Sequence, residues 1–187
     1  MIVLPVGLRI QSLEIDGKVG TLVPTFFMRP STHFIIALMA IAIPSKGQVD
    51  PEQAIAKVFR VLAGEETNFP AKADSLLQNG AWEALAYIDL AAKLKPQKED
   101  LQEAVPDYYR FKGKELIFKL IDPKDHNQYG FQGKLEYRWQ KQFVLVINPK
   151  NGTERDRWKV LYLDGEYLAL EMGDLRVFFA HTPPQEP

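Results

Sequence analysis

The decapeptide FQGKLEYRWQ at positions 131–140 alternates without a break. Phe131, Gly133, Leu135, Tyr137 and Trp139 fall on one side, and Gln132, Lys134, Glu136, Arg138 and Gln140 on the other. Successive side chains of a strand point to opposite faces, so this period of two marks a strand with one buried face. Working outward, the same period runs from Asp107 to the end of the chain. Tyr108–Lys112 and Glu115–Ile121 read as strands joined by the tight turn Lys112-Gly113-Lys114, and residues 122–130 (DPKDHNQYG) read as a loop. Phe143–Ile147, Arg157–Leu163, Glu166–Met172 and Leu175–His181 follow. They are separated by Asn148–Gly152, the hairpin signal Asp164-Gly165 and the turn Gly173-Asp174. The tail 182–187 is expected to fray.

Upstream the pattern changes. Asp50-Pro51 with Gln53 suits a helix start, and Ile55, Val58, Phe59 and Leu62 form one apolar stripe at helical spacing. Gly64 offers a left-handed stop, so a helix is expected over 51–63. Pro70 opens a shorter helix to Gln78 with Leu76 and Leu77 buried, ended by Asn79-Gly80. Residues 81–94 (AWEALAYIDLAAKL) are rich in helix formers. Yet Trp82, Ala84, Ala86, Ile88 and Leu90 alternate with Ala81, Glu83, Leu85, Tyr87 and Asp89, and we read 81–90 as a strand. The polar stretch 93–106 is then a crossing loop with one turn of helix.

These elements make a mainly β chain: an N-terminal helical segment over 48–78, then eight strands over 79–181. Connections of a few residues force neighbouring strands antiparallel. Eight strands in an up-and-down meander remove their exposed edges by closing into a barrel, whose interior either fills with side chains or holds one small ligand. A second fold stays open. If 81–104 is helical, the chain forms an α+β cone resembling the nuclear-transport-factor-2-like (NTF2-like) fold, which hosts both binding modules and small enzymes.

The order of motifs adds to this. Gly80-Ala81-Trp82 stands at the head of the first strand, after a short helix. A long polar loop, a Tyr109-x-Phe111 strand and a string of hairpins follow, with Arg176 in the last strand. This order resembles the lipocalin-like β-barrels, in particular the small exported domains of bacteria. The resemblance implies that Gly80 and Trp82 form the barrel floor, with Arg176 lying over the indole. It also implies a small hydrophobic ligand within, for which Leu116, Phe118, Leu135, Tyr137, Leu145, Tyr162, Leu168 and Leu170 are the cavity-lining candidates. The chain departs from the family in lacking a Thr-Asp-Tyr element and a disulfide pair.

Composition limits the chemistry. The 187 residues carry 23 Lys and Arg against 24 Asp and Glu, a net charge of −1, so no global basic field marks a nucleic-acid binder. No cysteine is present, which removes disulfides, thiolate metal sites and a thiol nucleophile. The three histidines, His33, His126 and His181, lie far apart. No phosphate loop, Gly-x-Ser-x-Gly elbow or HExxH occurs. The acids Glu99, Asp100, Glu103 and Asp107 read as a solvated surface beside Lys95 and Lys98. Asp122, Asp125 and His126 lack the further ligands of a calcium loop. The expectation is a non-enzymatic protein without metal or cofactor.

Residues 34–43 (FIIALMAIAI) are ten apolar residues in a row. A spanning helix needs about 20, whereas about ten is the length of a signal-peptide core. Met28-Arg29 precedes the run, and Ser45-Lys46-Gly47 offers small residues before a cut at Gln48. We therefore expect a signal peptide over 28–47, residues 1–27 as a spurious or unstructured extension, and a monomeric chain of 48–187 without a transmembrane span. Its place is outside the cytoplasm: periplasmic, secreted or on the cell surface.

Overall fold

The computed structural model describes residues 2–3, 9–10, 51–91, 95–122, 125–141, 143–148 and 156–184. The expected signal segment 28–47, its cleavage point and the turn 149–152 lie outside these residues. Of residues 1–27, Ile2–Val3 and Arg9–Ile10 are described, as a two-residue antiparallel ladder.

Helix α1 spans Pro51–Ala63, as its stripe predicts. Ile55, Val58, Val61 and Leu62 are buried on one side. Gly64 takes φ +81°, and its N–H donates to the Val61 carbonyl while Glu65 N–H donates to Arg60. The left-handed residue satisfies carbonyls that a helix end leaves unpaired. Helix α2 spans Ala73–Gln78, starting later than Pro70 suggested. Asn68 donates to the Leu163 carbonyl and Phe69 packs edge-on to Trp139 and Phe143, which holds the chain off helical geometry until Lys72. Leu77 is fully buried, while Leu76 is only partly so.

Eight strands follow: β1 Ala81–Asp89, β2 Tyr108–Lys112, β3 Glu115–Asp122, β4 Asp125–Lys141, β5 Val144–Asn148, β6 Asp156–Leu163, β7 Tyr167–Met172 and β8 Leu175–Thr182. Each pairs antiparallel with the next, and β8 returns to β1 from Leu175↔Asp89 to Thr182↔Ala81. The sheet is a closed up-and-down barrel, the lipocalin-like architecture. The β8–β1 ladder removes the cone alternative, because residues 81–89 are a paired strand. Thr182 belongs to that ladder and not to a frayed tail.

Three local corrections matter. First, β1 carries a bulge: Phe178 pairs with Ala86 and Phe179 with Ala84, leaving Leu85 as the extra residue. Strict alternation breaks there, so Leu85, Ala86 and Ile88 lie with the α1 cluster while Trp82 and Ala84 face the barrel interior. Second, residues 125–130, expected in a loop, extend β4; Ile121 pairs with Tyr129 and Asp122 with Asp125 across two register shifts. Third, beside its expected helical turn, a 3₁₀ turn at Lys98–Asp100, the crossing loop adds a two-residue strand Gln102–Glu103. That strand pairs with β1 at Ala86 and Tyr87.

The core divides in two. The interior cluster includes Trp82, Tyr109, Phe111, Phe118, Trp158 and Phe179. A second cluster sits between α1 and the outer face of β1, β6, β7 and β8, with Ile55, Val58, Leu62, Leu161, Phe178 and Ala180. Burying a large aliphatic or aromatic side chain contributes about 1.5–3 kcal/mol, so α1 is held mainly by this face.

Candidate functional site

One end of the barrel is closed by α2. Asp74 on its first turn accepts from Trp139 Nε1–H at 2.8 Å, lies 3.5 Å from the Tyr137 hydroxyl, and accepts from Gln78 at 2.8 Å. Trp82 is fully buried, and its Nε1–H donates to the Leu77 carbonyl at 2.9 Å. Its ring meets His181 edge-on, centroids 5.5 Å apart. A Cβ on Gly80 would run into the His181 ring, which approaches the Asn79 carbonyl oxygen at 3.0 Å. Gly80 is therefore set by close packing, and Trp82 is held between α2 and His181.

Arg176 is not part of this packing. Arg176 pairs with Ile88, six residues along β1 from Trp82 and so about 20 Å away at strand rise. Val177 and Phe179 point inward, so Arg176 lies outside. There its Nη1–H donates to the Leu62 carbonyl at 2.8 Å and its Nε–H to Glu171 Oε2 at 2.8 Å. A cation on the last carbonyls of α1 also complements the helix dipole. The indole's partner is His181, two strand periods past Val177 on the inward face.

Among the cavity-lining candidates, Leu116, Phe118, Leu135, Tyr137, Leu145, Leu168 and Leu170 all lie in the interior cluster. None is more than 4% exposed, so they pack against one another and leave each other little open surface. The Phe111 and Tyr137 rings meet edge-on at 5.0 Å, as do Tyr109 and Phe179 at 5.4 Å. Tyr162 is the exception. It lies under α1, with its hydroxyl donating to Asp164 and Lys57 Nζ 5.3 Å from its ring centre. Leu163 takes the inward place beside it.

The interior carries one polar group that the sequence reading misplaced. Its neighbours in sequence place Asp107 among surface acids, yet it is fully buried. It precedes β2 on the side of Tyr109 and Phe111, so the inward period of that strand extends to it. Oδ1 accepts from Ile121 N–H at 2.9 Å, where the β3–β4 register shifts. Oδ2 has no partner, the one such buried side-chain atom among the described residues. Burial pushes its carboxyl up to about 7, against the pull of the Ile121 hydrogen bond. Burial, together with the nearby Asp107 charge, also raises the Tyr109 hydroxyl.

Asp107 belongs to a seam. β1 and β2 share only the pairs Trp82↔Tyr109 and Glu83↔Tyr108. The gap beyond is filled by the segment 101–107: Ala84 N–H donates to Asp107 and Ala104 N–H to Leu85. Ala104 is buried within the interior cluster. The crossing loop thus supplies part of the barrel wall at the end opposite α2. Groups of three or more metal-ligating side chains are absent among the described residues, and no described helix is long and apolar enough to cross a membrane.

No family model matches the chain, and no curated protein does. Among solved structures it is similar to a lipocalin-like protein from Bacteroides uniformis ATCC 8492, at 16% identity over 55% of this chain and 96% of that one, with a TM-score of 0.39. It is also similar to an uncharacterized protein from Bacteroides eggerthii DSM 20697, at 14% identity over 55% of this chain and 98% of that one, again with a TM-score of 0.39.

Proposed function

We propose that the chain is an exported, monomeric lipocalin-like domain that binds a small molecule without transforming it. The ligand has a largely apolar body and a hydrogen-bond-donating head. The observation that carries this is Asp107 Oδ2, a buried acceptor without a donor in an interior lined mainly by aliphatic and aromatic side chains. An unsatisfied buried acceptor costs roughly 1–3 kcal/mol, and a ligand hydroxyl or ammonium group recovers it. The inward candidates are almost unexposed in the free barrel, so entry requires the wall to yield. The short β1–β2 ladder beside Ala104 is the place where fewest strand bonds resist. Export rests on the apolar decamer 34–43 and the small residues before Gln48.

The test is a matched ligand series. At pH about 9, where Asp107 is ionised, dodecylamine and dodecanol should bind in preference to dodecanoate, whose carboxylate it repels, and Asp107→Leu should erase that preference. Native mass spectrometry of the chain purified from its own host should show a bound organic mass, and the chain should begin at Gln48. Equal binding of all three probes, or none together with a bare mass, would overturn the reading. A filled structural barrel, favoured by the near-zero exposure of its interior, is the second reading that this result would leave.

A further inference from the structure

The outer face of β2, β3 and β4 holds a groove of about 460 Å³, separated from the interior by the sheet itself. Its lining includes Arg110, Lys112, Lys119 and Lys134, set around Tyr108 and Ile117. The register explains the convergence. Arg110 pairs with Ile117, and Ile117 with Lys134, so two cations flank one aliphatic floor residue across three strands. Tyr108 pairs with Lys119 in the next row and Lys112 with Glu115 in the other. At about 4.8 Å between strands and 3.3 Å per residue, the cations occupy a patch of roughly 10 by 13 Å.

Four cations so close repel one another unless anions intervene. Arg110 makes no ion pair among the described residues, and Lys112 shares its row with the carboxylates of Glu115 and Glu136. Lys119 Nζ lies over the Tyr108 and Tyr129 rings, at 5.4 and 5.5 Å. Lys134 meets Glu115 only at 3.9 Å, with both side chains about half exposed, a pairing of little strength in water. Against these four cations the same face sets the two carboxylates of Glu115 and Glu136, both in the Lys112 row, so the rows of Arg110, Lys134 and Lys119 stay positive.

We propose that this groove is a binding site for a compact organic molecule bearing a diphosphate or two closely spaced phosphates. The volume suits a small ligand and not a long polymer. Arg110 presents a planar fork to one phosphate, and the lysines supply point charges to the other. Ile117 offers an apolar contact for the organic part. The site stands on different residues from the interior and does not depend on it.

Inorganic pyrophosphate is the probe, titrated into the full chain by calorimetry and by amide chemical shifts, with inorganic phosphate and sulfate at matched ionic strength. The expected result is saturable one-to-one binding, at least tenfold tighter for pyrophosphate, with shifts concentrated at Ile117 and Gly133. Arg110→Gln and Lys134→Gln should each weaken it about tenfold without lowering the melting temperature. Lys159→Gln, an exposed cation on β6, should leave it unchanged. Three results would overturn the proposal: no saturable binding, equal affinity for all three anions, or equal losses in Lys159→Gln and the groove variants.

Discussion

The barrel wall has two outer faces built on the same strand alternation, and they meet opposite fates. The face of β1, β6, β7 and β8 presents Leu85, Ala86, Ile88, Leu161, Ala169 and Phe178 and is covered by α1. The face of β2, β3 and β4 presents Arg110, Lys112, Lys119 and Lys134, and among the described residues no helix covers it. The difference is written in the strands. Those under α1 are buried on both sides and read as continuous apolar runs, such as Val177–Ala180 and Val160–Leu163. Those on the basic side alternate, because one of their faces stays wet. A covered face is where stability is held; an open, charged face is where a ligand finds its opposite charge.

Substitutions on the two faces should break this comparison in order of size. Phe178→Ala removes a nearly fully buried ring from beneath α1 and should cost about 3–5 kcal/mol in chemical denaturation. A cost below about 1 kcal/mol would mean that α1 contributes little to the covered face. Asp107→Asn, between the two faces, should act through pH. Its folded carboxyl sits above its ordinary range, so the fold favours the protonated form. That stability is fully present below pH about 4 and is lost as pH rises through about 7, with a limit near 4 kcal/mol. The asparagine variant should flatten this slope, measured by denaturation at pH 4 and pH 8; an unchanged slope would mean that another group is responsible.

Arg176→Ala should cost about 1–2 kcal/mol by removing its hydrogen bond to the end of α1. Combined with Trp82→Ala it should be additive, because the two do not touch; a coupling above about 0.5 kcal/mol would place Arg176 at the floor after all. Ile117→Ala, on the open face, should cost less than about 1 kcal/mol in thermal denaturation, since its side chain is only partly buried. A loss equal to that of Phe178→Ala would show that the open face is covered by something in solution.

Much of this was legible from residues alone. Alternation located every barrel strand, the stripe of Ile55, Val58 and Leu62 set α1, and the inward set Leu135 and Tyr137 followed from period two. Reading failed where period and tertiary contact part. The Leu85 bulge inverts the second half of β1, which no local pattern announces. Arg176 was assigned by motif order when its even position beside Val177 already placed it outside, and Tyr162 was assigned inward when Leu163 takes that place. Asp107 looked like one more acid in a polar loop. Extending the inward period of β2 by one step would have found it.

By itself, then, the sequence determined which segments are strands and which faces are apolar, because both follow from local periodicity and turn chemistry. Only the tertiary structure decided the register in which β8 closes onto β1, that α2 stoppers one end, and that Arg110, Lys119 and Lys134 converge. Those arrangements depend on register between strands distant in sequence. A shift of one residue there moves every side chain to the other face.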